Sequence, residues 1–348
     1  MIRVAVIGGG IGAQHLEAYR HLPQFDPVLI VDRDPARLEA LAIDGTSGAS
    51  EIAEALHPDI DLVDICLPPA LHAETAIQAL EAGKHVICEK PFATSLHDVD
   101  RIAQAAARAD CQVFPVFQYR FGPAFAQLRA LRDAGLTGAP HSAALETHWS
   151  RDADYYAVPW RGTWAGEQGG AIVTHAIHAH DLLSHYMAPV HAVTARLATR
   201  VNPIETEDTA ALIFELEGGA LATSSVTLGA ASDQTRIRFV YECLTATSGT
   251  LPYAPSEGGW SFIARAPSDQ AEVDACLASA ADEKPGFDGF LTEVAKALNG
   301  DPAHRAVSLA DGRASIELVT AIYSAAQSAR RTTLPLSADH PMRMGWRP

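Results

Sequence analysis

Residues 169–181, Gly-Gly-Ala-Ile-Val-Thr-His-Ala-Ile-His-Ala-His-Asp, concentrate titratable side chains in one short stretch. Its pattern predicts a helix entered through a glycine pair. Thr174 and His178 are four residues apart and so fall on one helix face. An imidazole titrates near neutrality and suits general acid–base work, so this stretch is where a proton could be moved. His175 adds a second polar group one position along. The ladder His175-x-x-His178-x-x-Asp181 is also a conceivable zinc set. However, positions i, i+3 and i+6 drift around a helix, and no cysteine or HExxH pattern supports them, so no metal is expected.

A second motif says what such a proton acceptor would work beside. Gly8-Gly9-Gly10-Ile11-Gly12-Ala13 follows the apolar run Val4-Ala5-Val6-Ile7 and opens a helical stretch. Gly8, Gly10 and Ala13 fit G-x-G-x-x-G/A. The first glycine allows a tight turn, the second lets backbone approach a pyrophosphate, and the small third residue lets helix and strand pack closely. Ile11 and Gly12 then stand at the helix N-terminus, where unpaired N–H groups favour an anion. Asp32 ends the next apolar run, where a carboxylate grips a ribose hydroxyl and repels a 2′-phosphate. NAD is the expected cofactor. NADP stays possible, because the Arg33 guanidinium beside Asp32 can receive that phosphate.

These residues need elements to position them. In the first third, strand-like runs (Val4–Ile7, Pro27–Val31, Asp61–Leu67, His85–Cys88, Cys111–Val116) alternate with helical stretches from His15, Pro35, His72 and Leu96. That order implies a doubly wound parallel sheet, an α/β Rossmann domain over 1–118. Beyond Gln118 the strand-like segments 142–147, 192–200, 209–217, 220–228 and 235–242 follow one another without helices between them, and Gly218-Gly219 signals a hairpin. A largely antiparallel open sheet in an α+β domain over 119–348 is expected, with helices near Gly286–Leu298 and Ala310–Ala329 beside it. Small and β-branched residues on both faces of 220–228 suit a sheet covered on both sides. A second subunit is a plausible cover, so a homodimer or homotetramer is expected.

Composition narrows the partners. At 48% hydrophobic and 20% charged, the 348-residue chain is an ordinary globular protein long enough for two domains. A formal charge of −16 repels a polyphosphate backbone, which argues against nucleic acid. No apolar run is long enough to cross a membrane. Five scattered cysteines form no CxxC pair, and the chain opens directly on a strand-like run, so a reduced cytoplasmic protein is expected.

At Cys88-Glu89-Lys90-Pro91 the ordered set of motifs resembles the Gfo/Idh/MocA oxidoreductases, relatives of glucose–fructose oxidoreductase and inositol dehydrogenase. The resemblance runs over nearly the whole chain. It takes in Leu67-Pro68-Pro69 with His72, the E-K-P of Glu89-Lys90-Pro91, Tyr119-Arg120-Phe121, Trp160-Arg161, the glycine pair with H-x-x-D, and Thr332-Thr333-Leu334-Pro335-Leu336. It implies NAD(P)-dependent hydride transfer at a carbinol or carbonyl of a sugar, cyclitol or related polyol. By the same resemblance Lys90 and His178 meet at the nicotinamide, Lys90 on the reacting oxygen and His178 taking its proton. It further implies cofactor contacts from Leu67, Pro68, His72, Glu89 and Arg161. The family often carries Asp or Asn at the position of Thr174, where threonine can orient a hydroxyl but holds no charge. Two alternatives stay open: a catalytically silent NAD-sensing regulator of the same fold, and a dihydrodiol dehydrogenase or non-sugar carbonyl reductase.

Overall fold

A computed structural model describes residues 1–42 and 45–347. They form two compact units. The first comprises Met1–Phe117, Phe287–Ile316 and Arg343–Gly345; the second comprises Gln118–Gly286, Glu317–Met342 and Trp346–Pro348.

The first unit alternates as its periodicity requires: β1 (Ile2–Ile7), α1 (Gly12–Arg20), β2 (Phe25–Val31), α2 (Pro35–Leu41), β3 (Ser47–Ala49), β4 (Leu62–Ile65), α3 (His72–Glu81), β5 (His85–Cys88), α4 (Leu96–Ala109) and β6 (Val113–Pro115). The six strands are parallel in the order β3-β2-β1-β4-β5-β6, the doubly wound arrangement whose direction of winding reverses between β1 and β4. Val4 to Ile7 are buried on both faces and read as a continuous apolar run; Leu62 to Ile65 are equally buried, with Asp64 the one charged residue among them. Helix starts are set by local chemistry. Asp34 accepts from the N–H of Ala36 ahead of Pro35 at the first helical position, and Ser95 accepts from the Asp98 N–H.

The second unit contains α5 (Pro123–Asp133), β7 (Pro140–Ser150), α6 (Ile177–Tyr186), β8 (Val190–Ala198), β9 (Thr209–Leu216), β10 (Leu221–Thr227), β11 (Gly229–Tyr241), β12 (Leu244–Thr247), β13 (Ser261–Ala264) and α7 (Gln270–Ser279). Then come α8 (Gly286–Leu298), most of which belongs to the first unit, α9 (Leu309–Ser328), divided between the units, and β14 (Thr332–Thr333). The eight strands order β13-β12-β11-β7-β10-β9-β8-β14. Gly218 and Gly219, at φ 82° and 91°, turn β9 into β10 as their types suggest. The sheet is largely antiparallel as expected, with one parallel pairing, β10 with β7. Helices α5, before β7, and α7, after β13, add to the expected elements. One face of the sheet is covered: Phe214, Ala222, Val226 and Phe239 are buried. On the other face Ile213 is 53% and Leu221 54% exposed, so β10 is covered on one side only within this chain.

Candidate active site

The glycine turn is built for close approach of a ligand. Gly8 has φ +99°, and a Cβ there would lie 2.5 Å from the Cys66 carbonyl oxygen, so β1 and β4 meet too tightly for a side chain. A Cβ added at Gly12 would meet Val6 at 2.9 Å, which fixes α1 against its own strand. At Gly10 a Cβ would meet nothing within 4 Å, so that side is open. A dinucleotide pyrophosphate fits this cradle, with Ile11 as the N-cap residue of α1.

Asp32 completes the cradle. Its Oδ2 accepts from the Gly9 N–H at 2.7 Å and its Oδ1 from the Asp34 N–H at 2.9 Å. Burial works against its charge, but those two N–H groups and a guanidinium hold the carboxyl below the usual range. The guanidinium is that of Arg37, 2.9 Å from Asp32 Oδ2, and its stem lies against Gly9. Arg33, the cation expected from sequence, is exposed and pairs with neither oxygen. Arg37 is the residue the sequence reading missed. Its signal is a position in the first turn of α2, which starts three residues after Asp32.

Leu67 and Pro68, each half-buried, follow β4, and Glu89 and Lys90 follow β5. His72 departs from its expected role. It is fully buried, with Nδ1 2.8 Å from the Pro91 carbonyl oxygen and Nε2 2.7 Å from that of Leu67. The single N–H of the neutral ring donates to one of these two carbonyls, so the ring holds the turn rather than offering itself to a dinucleotide. Burial lowers its pKa, more than the two carbonyls raise it. The Lys90–Pro91 bond is cis.

In the second unit, the histidine stretch is not one uniform α-helix. Ile172–Ala176 forms a π-helical turn, and α6 continues from Ile177. Such turns are rare and recur at functional sites. Here it orders a chain of hydrogen bonds. Arg151 Nε donates to His175 Nε2 at 3.2 Å, which requires the proton of neutral His175 to sit on Nδ1. Nδ1 lies 2.5 Å from Thr174 Oγ1, and that hydroxyl donates to the Gly170 carbonyl at 2.8 Å. Thr174 and His175 are thus bound to each other, while His178 is buried one turn further on and stacked on Tyr119 at 4.3 Å. Asp181, the last member of H-x-x-D, makes a two-pronged buried pair with Arg120 through Nε (2.7 Å) and Nη2 (2.6 Å). Tyr119 and Arg120 therefore brace His178 and Asp181 from one short turn. The three members of the supposed metal ladder have different surroundings. His180 points into the sheet, 2.9 Å from Ser224 Oγ, and burial takes its pKa down to about 3.

Arg161 lies with its guanidinium 4.0 Å from the Tyr155 ring centroid and 5.5 Å from that of Trp160. Arg151 lies 4.9 Å and 5.0 Å from those of Trp149 and Tyr155. An aromatic and cationic surface thus flanks His175. Asp152 and Asp154 are exposed in the same loop.

Another residue without a sequence signal sets the start of this helix. The Glu207 carboxylate accepts from the N–H groups of Gly170 and Ile172, each at 3.1 Å, and from the Tyr323 hydroxyl at 2.8 Å. Its backbone carbonyl accepts from Ala171 N–H at 2.8 Å. A Cβ on Gly170 would overlap that carbonyl, which is the physical reason for a glycine there. Burial raises the Glu207 pKa from 4.5 to about 7, outweighing its hydrogen bonds. The folded protein therefore holds a proton that the unfolded chain has lost between those values. The resulting stabilisation is complete below 4.5 and disappears as pH rises to about 7. Against native protein, Glu207→Gln should gain up to roughly 3 kcal/mol in relative stability as pH rises through this window. Urea midpoints at pH 5, 6, 7 and 8 would check it; a constant difference between the two proteins would refute the assignment.

Comparison with known proteins agrees with this geometry. Residues 2–117 match the model of the oxidoreductase family with an NAD-binding Rossmann fold, and residues 125–244 match the GFO/IDH/MocA C-terminal domain. The chain is 32% identical to the levoglucosan dehydrogenase of Pseudarthrobacter phenanthrenivorans over 57% of this chain and 54% of that one. It is 30% identical to the myo-inositol 2-dehydrogenase of Thermotoga maritima over 63% and 66%. These matches span about half to two thirds of the curated relatives' length. Among solved structures, the WlbA dehydrogenase of Bordetella pertussis in complex with NADH and UDP-GlcNAcA superposes with a TM-score of 0.84 at 28% identity, covering 97% of this chain and 98% of that one. A levoglucosan dehydrogenase complex with NADH, 21% identical, shares the fold with a TM-score of 0.81. The first unit is accordingly an NAD-binding Rossmann domain, and the chain belongs to the Gfo/Idh/MocA family of oxidoreductases.

Proposed function

We propose that this protein is an NAD-dependent dehydrogenase acting on a secondary alcohol of a sugar, cyclitol or related polyol, or on the matching ketone in reverse. The observation that carries the reading is the structural neighbour holding NADH together with a sugar nucleotide, at 28% identity across nearly the whole chain. Relatives named for levoglucosan and myo-inositol support the same substrate class.

The bound dinucleotide supplies the hydride acceptor. The glycine turn would hold its pyrophosphate, and Asp32, Glu89 and the Leu67-Pro68 turn would hold its riboses and nicotinamide. Lys90 hydrogen-bonds the reacting oxygen and stabilises its developing negative charge. His178 takes the proton from that oxygen. Tyr119 and the Arg120–Asp181 pair keep its ring in one orientation. Thr174 and His175 present a fixed polar edge, and the Trp149–Tyr155–Arg161 surface offers rings on which a sugar can lie. His178→Ala should cut turnover by roughly a hundred-fold to ten-thousand-fold while leaving NADH affinity nearly intact. Steady-state rates on a sugar and cyclitol panel, with NADH fluorescence titration, would check this. Full activity in the variant would sink the assignment. A native protein that binds NAD but turns over nothing in the panel would favour a silent sensor instead.

The Asp32–Arg37 pair carries the cofactor preference. Native protein should bind NAD at least tenfold more tightly than NADP, on the order of 1.4 kcal/mol. Asp32→Ala should narrow that gap by removing the repulsion and releasing Arg37 for a 2′-phosphate. Adding Arg37→Ala should abolish the gain, whereas adding Arg33→Ala should not. Dissociation constants for both dinucleotides in the four proteins decide it, and a dependence on Arg33 alone would overturn the role given to Arg37.

The open face of the second sheet supports a homodimer or homotetramer. Ile213 pairs with Thr223 across β9 and β10, and Leu221 follows on the same exposed face. Ile213→Lys with Leu221→Lys should lower the mass measured by light scattering at micromolar concentration. A monomeric native protein would remove the proposal. We place the protein in the cytoplasm, since its cysteines are all free; no helix of the described residues is long and apolar enough to cross a membrane.

A further inference from the structure

Behind the glycine turn lies a buried cluster of charge in which His15, Tyr19 and Asp64 have no part in the proposed chemistry. His15, in the first turn of α1, has no solvent exposure. Its Nδ1 is 2.8 Å from Asp64 Oδ2, and its Nε2 is 3.2 Å from Glu89 Oε1. Tyr19, four residues on, donates to the same Asp64 oxygen at 2.9 Å. Cys66 Sγ lies 3.6 Å from His15 Nδ1, and the Phe287 ring centroid lies 4.3 Å from that of the imidazole.

A neutral imidazole has one N–H, yet each ring nitrogen here faces a carboxylate. Both contacts are satisfied together only by the imidazolium. Burial opposes that charge, but the Asp64 carboxylate carries the His15 pKa well above its ordinary value. Cys66 itself stays a thiol, its pKa pushed by burial up to about 12.

The cluster leads to Lys90. The second Glu89 oxygen accepts from the Lys90 N–H at 2.9 Å. On the far side of Lys90, the Pro91 carbonyl faces His72. The lysine backbone thus lies between two residues near buried histidines: Glu89, which faces His15, and Pro91, whose carbonyl lies 2.8 Å from His72 Nδ1.

We propose that His15 is a positioning residue: its imidazolium joins Asp64 to Glu89 and through Glu89 fixes the Lys90 backbone relative to the helix that begins at the glycine turn. This rests on the role given above to Lys90. Without the cation, two buried carboxylates face each other unscreened, and Glu89 loses the contact that orients it.

The test combines histidine nitrogen NMR with kinetics on the full chain. Native protein at pH 7.5 should show one ring with both nitrogens protonated, and His15→Gln should lose that signal. In Glu89→Gln the same ring should deprotonate roughly one pH unit lower or more, having lost one of two opposite charges. His15→Gln and Glu89→Gln should each lower kcat by about tenfold or more, with a smaller change in NADH affinity, and the double variant should fall no further than the worse single one. Circular dichroism confirms that each variant folds. A neutral His15 ring in native protein, or one zinc ion per purified chain in place of the proton, would overturn the proposal. So would a folded His15→Gln with unchanged kcat. If Lys90→Ala keeps full turnover, the lysine reading falls and the catalytic half of the proposal with it, whereas a doubly protonated His15 ring still identifies the clamp.

Discussion

A helix that begins inside a protein must find partners for its first N–H groups, because water cannot supply them. In the second unit that constraint is met by one residue, Glu207. Its carboxylate takes the N–H groups of Gly170 and Ile172, and its carbonyl takes that of Ala171. The approach is so close that residue 170 has no room for a Cβ. Above its raised pKa the carboxylate also complements the helix dipole. The neighbouring Asp208 does similar work on the preceding loop, accepting from the N–H groups of Arg200, Val201 and Asn202. Two consecutive acids at the start of β9 therefore tie both the β8–β9 loop and the histidine-bearing helix to the sheet.

The first unit uses the same device with the charges reversed in role. There a buried cation, His15, gathers carboxylates from β4 and from the turn after β5. Removing one member of such a set leaves an uncompensated buried charge, which costs far more than a surface pair gains. Ionic contacts thus hold the turns and helix starts that must present reactive groups, and one of them, at Asp64, reaches into a strand otherwise held by apolar packing.

The two levels differ in how far they can be read from sequence. The parallel sheet is legible because doubly buried strands are mostly apolar runs and because the glycine spacing has a steric cause at Gly8 and Gly12. Helix α5 was legible in principle: Pro123 follows Gly122, and Ala124, Phe125, Leu128 and Leu131 repeat at helical spacing. The short strands β12, β13 and β14 were not, since four residues or fewer give no periodicity. Contacts made across long sequence separations were also hidden. Nothing local to Glu207 says that it caps residue 170, and nothing local to His72 says that both its nitrogens meet carbonyls. Arg37 rather than Arg33 reaches Asp32 because α2 begins between them and turns the later side chain back. The parallel pairing of β10 with β7 follows from the order of strands in space, which local sequence does not encode.

The π-helical turn shows why side-chain roles inside the histidine stretch resist a helical-wheel argument. One extra residue in the turn places the Thr174 hydroxyl against both the Gly170 carbonyl and the His175 ring, so a polar group that looks free in sequence is consumed within the backbone. His180 is spent on Ser224 and kept neutral by burial. His175 is set in one tautomer by Arg151 on one side and Thr174 on the other. Three histidines on one helix are separated by surroundings rather than by spacing. The His178 ring is stacked on Tyr119, the residue next to the arginine that holds Asp181, whereas Trp149 beside His175 and Phe214 beside His180 stand edge-on. The H-x-x-D spacing then has a mechanical meaning: one helical turn sets the distance over which Tyr119 and Arg120 together hold the imidazole and the carboxylate.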